Sequence, residues 1–155
     1  PGVLAPNGAV PMTDDLNAKP STAFFVIAGT FMTWNLIGLM LYYQHMSAPP
    51  EAFASLGPEK AAFIANTPVW ANAAYALAVT LAVIASVLLL LRKSWAKPAY
   101  VLSLVAILVQ DLESFVLRDA VAVFGNMALA APSLVLIVAV IEIWYSSSVA
   151  NRYYR

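Results

Sequence analysis

Residues 69–91 read VWANAAYALAVTLAVIASVLLLL, 23 positions without a charged side chain, and Arg92-Lys93 come directly after them. About 20 apolar residues in helical form cross a bilayer core about 30 Å thick, so this stretch reads as a transmembrane helix. Thr67-Pro68 ahead of it is a helix-start signal. Three more stretches fit the same template. Ser21 to Tyr43 carries no charge and holds Trp34, with Tyr42 and Tyr43 at its far end. Pro98 to Leu117 starts on a proline and runs apolar to Val109 before meeting Gln110, Asp111 and Glu113. Met127 to Tyr145 is interrupted only by Pro132 and Glu142, and its Trp144 and Tyr145 suit an interfacial aromatic belt. The expected fold is therefore an all-α, integral-membrane four-helix bundle.

Composition agrees. Of 155 residues 62% are apolar and 10% charged, against roughly 45–50% and about 25% in soluble domains. Eight basic side chains balance eight acidic ones, which argues against nucleic acid as a partner, because phosphate binding needs a basic excess. The chain has no cysteine and one histidine, His45, so disulfides, thiolate chemistry and histidine-clustered metal sites are excluded. His45 itself reads as an interfacial residue. No nucleotide-binding loop, metalloprotease signature or nucleophile elbow occurs. The expectation is a non-enzymatic protein with no cofactor.

Short connections retain lysine and arginine on the cytoplasmic side. Lys19, Arg92, Lys93, Lys97, Arg152 and Arg155 fall on one side of the four spans, and Lys60 and Arg118 on the other. Both termini are thus expected in the cytoplasm, residues 1–20 as a polar amino tail and 146–155 as a carboxyl tail. The first span is too long for a signal-peptide core and lacks a basic start beyond Lys19. Met12 is a candidate translation start. The longest connection, Gln44 to Pro68, holds Phe53, Leu56, Phe63 and Ile64 around Gly57-Pro58. It reads either as short helical turns dipped towards lipid or helix ends, or as a loop ordered by packing.

The polar residues inside the spans are the candidate functional residues, since an acidic group there must face protein, water or a partner. At 100° per residue Asp111 and Glu113 point to opposite sides and form no carboxylate dyad. Gln110 and Glu113 then share one face, and Asp111, Ser114 and Arg118 another, along which Arg118 could snorkel back. This spiral reads as a polar network at a wet helix end, as a partner contact, or as part of a solute or proton pathway. Asn35 is expected to hydrogen-bond a neighbouring helix, with Gln110 as the candidate, or to belong to a solute site. Glu142 is expected in an interfacial ion pair with Arg92, Lys93 or Lys97. Small residues on two ridges of the second span, Asn72, Ala76 and Thr80 on one, Ala78, Ala82 and Ser86 on the other, suit close helix packing, as do Gly29 and Thr33 in the first.

The run Asn66-Thr67-Pro68-Val69-Trp70-Ala71, then Leu88-Leu89-Leu90-Leu91-Arg92-Lys93-Ser94-Trp95-Ala96, Val101-Leu102-Ser103-Leu104 and Val109-Gln110, resembles a family of small bacterial inner-membrane proteins of about four helices, often labelled sugar transporters. Trp34-Asn35-Leu36-Ile37-Gly38 and Ile143-Trp144-Tyr145-Ser146 fit the same pattern. The resemblance implies a multi-pass protein of the bacterial cytoplasmic membrane; its motifs are packing and interface motifs that specify no chemistry. Asp111-Leu112-Glu113 stands where apolar residues would be expected, which suggests a contact particular to this chain.

The leading expectation is an accessory or assembly subunit that lies against other membrane protein subunits or its own copies in the lipid bilayer. The alternative is a small solute transporter, for a sugar-like solute, acting as an oligomer because four helices enclose little volume. Topology is open to a direct test. In a chain without native cysteine, Ser94→Cys should react with a membrane-impermeant maleimide only from the cytoplasm and Ser55→Cys only from outside; labelling of both from one side would refute the arrangement.

Overall fold

The computed structural model of the chain describes residues 20–153, with side chains to residue 150. The expected amino tail up to Lys19 lies outside the described residues, as do Arg155 and the side chain of Arg152 from the charge count. Four helices are long and apolar enough to cross a membrane. Helix α1 is Thr22–Ser47, α4 is Val69–Leu90, α5 is Ala96–Asp111 with a π-helical continuation Leu112–Leu117, and α7 is Ala130–Tyr153. Between them, short helices α2 (Glu51–Ala54), α3 (Pro58–Ala65) and α6 (Ala120–Phe124) lie at one end of the bundle. The protein is a multi-pass, all-helical membrane bundle.

Each helix boundary has a local cause. The Ser21 hydroxyl accepts from Phe24 N at 3.2 Å and caps α1. At the other end of α4, Arg92 adopts φ 59. Arg92 N bonds to Leu89 O at 2.9 Å and Lys93 N to Leu88 O at 2.8 Å, a Schellman turn that reverses the chain into α5 within a few residues. Pro132 falls in the first turn of α7, where a missing N–H breaks no helical bond.

Packing obeys the rule for helices in lipid, with small residues inside and large ones outside. Ala71, Ala74, Ala78, Ala82, Ala85, Ser86 and Leu89 are buried on α4, whereas Leu77 is 57% and Ile84 45% exposed. Of the two small-residue ridges in this span, the one through Ala78, Ala82 and Ser86 is therefore the packing ridge, and Thr80 of the other faces out. On α1 the close approach is made at Ala28, while Thr33 is exposed. α4 packs most extensively on α5, α1 lies on α4, and α7 lies on α5. At the end holding the α4–α5 turn, Phe24, Ala28, Ala85, Leu89, Ala96, Ala99, Tyr100 and Val149 form one apolar cluster. Val149 and the buried Ser146 belong to α7, which runs on through the segment read from sequence as a tail.

The long first connection folds as the two short helices α2 and α3. Phe53 stacks against His45 at 5.5 Å, and Phe63 meets Phe124 edge-on at 5.3 Å, so the aromatic residues cover the helix ends. Leu56 stays exposed.

The small-residue interface makes a quantitative prediction. Ala85→Leu inserts three carbons where exposure is 0%, and overpacking of this kind costs about 1–3 kcal/mol. Thermal denaturation in detergent should show a clear fall in Tm for Ala85→Leu and little change for Ile84→Ala, whose side chain faces outward.

Candidate functional site

Four polar side chains, one from each long helix, meet in the interior. Asn35 on α1 donates from Nδ2 to Glu142 Oε1 on α7 at 2.7 Å and to Ser86 Oγ on α4 at 2.9 Å. Ser86 donates to its own helix at Ala82 O, 3.0 Å, and lies 2.9 Å from the Tyr100 hydroxyl on α5. A serine hydroxyl has one hydrogen, so with that hydrogen on Ala82 O the Tyr100 hydroxyl is the donor to Ser86. Asn35, Ser86, Tyr100 and Glu142 are all buried, Glu142 to 2% exposure. A further inter-helix bond, Ser103 Oγ to Ala78 O at 2.8 Å, joins α5 to α4 further along.

This arrangement corrects two expectations. Asn35 bonds Ser86 and Glu142 rather than Gln110. Glu142 is not in an ion pair with Arg92, Lys93 or Lys97; it lies near the middle of α7, with the amide of Asn35 as its partner. The reason is length: because α7 continues to Tyr153, Glu142 is about eleven residues, or about 16 Å at 1.5 Å rise, from the helix end.

The second polar group lies where α5 changes its winding. Arg118 N bonds to Glu113 O at 3.1 Å, five residues back, a π turn. The wider turn brings positions five apart into register, which α-helical geometry would separate. Glu113 thus pairs with Arg118 at 3.0 Å, and Glu113 is 1% exposed. Arg118 also donates from Nη1 to Thr67 Oγ1 at 3.1 Å and from Nη2 to Phe63 O, and its guanidinium sits 3.7 Å over the Phe63 ring. Gln110 donates to Ser114 at 3.1 Å, and Ser114 to Glu113 Oε2 at 3.2 Å. The expected division into two faces, with Arg118 snorkelling towards Asp111, does not hold: Gln110, Ser114, Glu113 and Arg118 form one chain of bonds. Asp111 stands outside it, with Oδ2 buried and without a hydrogen-bond partner among the described residues.

Between these two polar groups lies a cavity of about 440 Å³. Trp34, Asn35, Gly38 and Leu41 of α1 form one wall, Ala131, Pro132 and Leu134 of α7 the facing one, and α4 and α5 the floor with Tyr75, Ala78, Ser103, Gln110 and Asp111. The cavity exists because α1 and α7 rest on different neighbours, α4 and α5. Asn35 with Glu142, and Phe31 edge-on to Tyr145 at 5.6 Å, link α1 to α7 at the closed end of the cleft. Asn35 has committed its amide to Ser86 and Glu142, so its carbonyl oxygen is the polar atom left for the cleft.

Of the sequence candidates, Asn35, Gln110 and Asp111 therefore gather at the cleft, Glu142 lies behind Asn35, and Glu113 and Arg118 are turned away towards α3. Ser86 and Tyr100 were missed as network members. Ser86 resembled one more small packing residue. Tyr100 lies two residues after Pro98, in the first turn of the expected span, where a hydroxyl within reach of the interface signals no buried partner. No group of acidic and histidine side chains among the described residues could hold a metal ion. Comparison of the chain with known protein families, with curated proteins and with solved structures finds no match.

Removing the shared donor tests the network. Asn35→Leu strips a hydrogen bond from Glu142 and one from Ser86, and should lower stability by about 1–3 kcal/mol, the range for leaving buried polar groups unsatisfied. Glu142→Gln retains an acceptor oxygen for Asn35 and should cost less than Asn35→Leu. The double variant Asn35→Leu/Glu142→Leu should lose less stability in detergent unfolding than the two single variants summed, whereas additive losses would show that the two side chains act independently.

Proposed function

We propose that the protein is a non-enzymatic, multi-pass protein of the bacterial cytoplasmic membrane that binds a small, largely apolar solute in the cleft between α1 and α7. The observation that carries this reading is the cleft: about 440 Å³, within the usual range of small-molecule sites, with apolar walls and a few convergent polar groups. Trp34 and Asn35 line it together, the aromatic and amide pair that a solute with both an apolar and a polar side would use. In its fuller form this is a small-solute carrier working as an oligomer.

A second reading is an accessory or assembly subunit of a larger membrane complex or homo-oligomer. The specific observation in its favour is Asp111 Oδ2, buried and without a hydrogen-bond partner among the described residues, which a basic group on another subunit would satisfy.

Gly38 separates the two. Gly38 lines the cleft and a Cβ placed on it meets nothing within 4 Å, so Gly38→Trp has room to start into the cleft and should fill it. Native mass spectrometry from mild detergent should find a small-molecule adduct on the wild-type protein and none on Gly38→Trp at unchanged Tm. A co-purifying protein that is lost in Asp111→Asn, with no small adduct on either form, would decide for the accessory subunit.

A further inference from the structure

Asp111 lines the cleft and sits among groups that are already engaged. Arg118, the nearest basic residue along the chain, is taken up by Glu113, Thr67 and the Phe63 carbonyl and ring. Glu113–Arg118 is the one salt bridge among the described residues. The Asp111 carboxylate therefore has no counter-charge there, and one of its oxygens is out of contact with water and without a donor. A carboxylate in that state calls for a cation or a strong donor, because an unpaired charge away from water is costly.

The rest of the cleft narrows what the cation can be. Trp34 and Tyr75 line the same cavity, and aromatic faces attract organic cations. The remaining walls are mostly aliphatic, with Leu41 and Leu134 among them, which favour a greasy body and disfavour a sugar, whose many hydroxyls would lose water against them. A neutral apolar molecule would leave Asp111 unpaired, and an anion would be repelled.

We infer that the cleft between α1 and α7 takes a compact organic cation, an amine or quaternary ammonium on an apolar body, with Asp111 as its counter-charge and Trp34 and Tyr75 as aromatic contacts. This rests on the reading of the cleft as a small-solute site. The cation's body fills the apolar space beside Leu41 and Leu134, and its head meets the Asp111 carboxyl where that side chain lines the cleft; Oδ2, buried and without a partner among the described residues, has no hydrogen bond to give up. For the same reason Asp111→Asn removes no intramolecular bond at Oδ2 and should fold.

The test uses two probes of the same shape, phenyltrimethylammonium and its uncharged isostere tert-butylbenzene, with the full chain in nanodiscs of zwitterionic lipid. Ligand-detected NMR titration should show the cation binding at least about tenfold more tightly than the isostere, roughly what one desolvated ionic and aromatic contact contributes. Asp111→Asn should abolish that preference while still binding tert-butylbenzene, Asp111→Glu should restore part of it, and Gly38→Trp should bind neither. Equal binding of the two probes to the wild-type protein, with loss of both in Gly38→Trp, would overturn the cation assignment and leave the solute cleft standing. Binding of neither probe, or binding untouched by Gly38→Trp, would overturn both. A cation preference that persists in Asp111→Asn would overturn the role given to Asp111.

Discussion

The amide of Asn35 joins the two outer helices of the bundle, α1 and α7, which otherwise share little. α1 is supported by α4 and α7 by α5, so the placement of α1 against α7 depends on a small number of side chains. A carboxyl group in the middle of α7 would be costly in lipid unless a donor reaches it, and Asn35 is that donor. Asparagine suits the position for a simple reason: its one NH2 group carries two hydrogens, which can serve Glu142 and Ser86 at the same time. Serine could supply one, and an aliphatic side chain none. Tyr100 completes the connection by donating to Ser86, so a single chain of bonds passes through all four long helices.

That tie divides the bundle lengthwise. Towards the α4–α5 turn, alanines let the backbones approach, and Phe24, Leu89 and Tyr100 fill the remaining volume. Away from it, nothing comparable joins α1 to α7 among the described residues. There α1 is held on α4, partly by the edge-on contact of Tyr42 with Tyr75 at 4.9 Å, and α5 on α4 by Ser103. The cleft is the geometric result of four helices fastened at one level and supported pairwise above it. Its polar floor and its apolar walls come from the same helices that make the tie.

Much of this was legible in the sequence, and for identifiable reasons. Four uncharged or nearly uncharged stretches of bilayer length establish four spans whatever their packing, because length and apolarity are local properties. The alanine ridge Ala78, Ala82, Ser86 was visible for the same reason, as a spacing of four on one helix. The features that were not legible involved either a break in helical periodicity or a distance between helices. Trp144 and Tyr145 mark an aromatic belt with 146–155 as a tail beyond it, yet Ser146 is buried and Ser147 bonds back to Ile143 O at 2.8 Å, within a helix that runs on. Glu142 was read from a helix end that lies further on. The partners of Asn35 are 51 and 107 residues away in the chain, and no local pattern gives them.

The π turn in the last part of α5 has the largest effect on the chemistry of the site. In an unbroken α-helix Glu113 would share a face with Gln110, and Gln110 lines the cleft. On a regular α-helix, however, Arg118 would stand about 140° round from Glu113 and leave that carboxylate without its partner. The extra residue in the turn rotates the downstream side chains, so Glu113 meets Arg118 and the α3 end of the bundle instead. The positive charge nearest in sequence is spent on Glu113, and Asp111, one residue before the winding changes, keeps its place in the cleft alone. A single unpaired carboxylate beside Trp34 and Tyr75 is thus a consequence of backbone geometry as much as of residue type. The same residues on a regular helix would describe a different site.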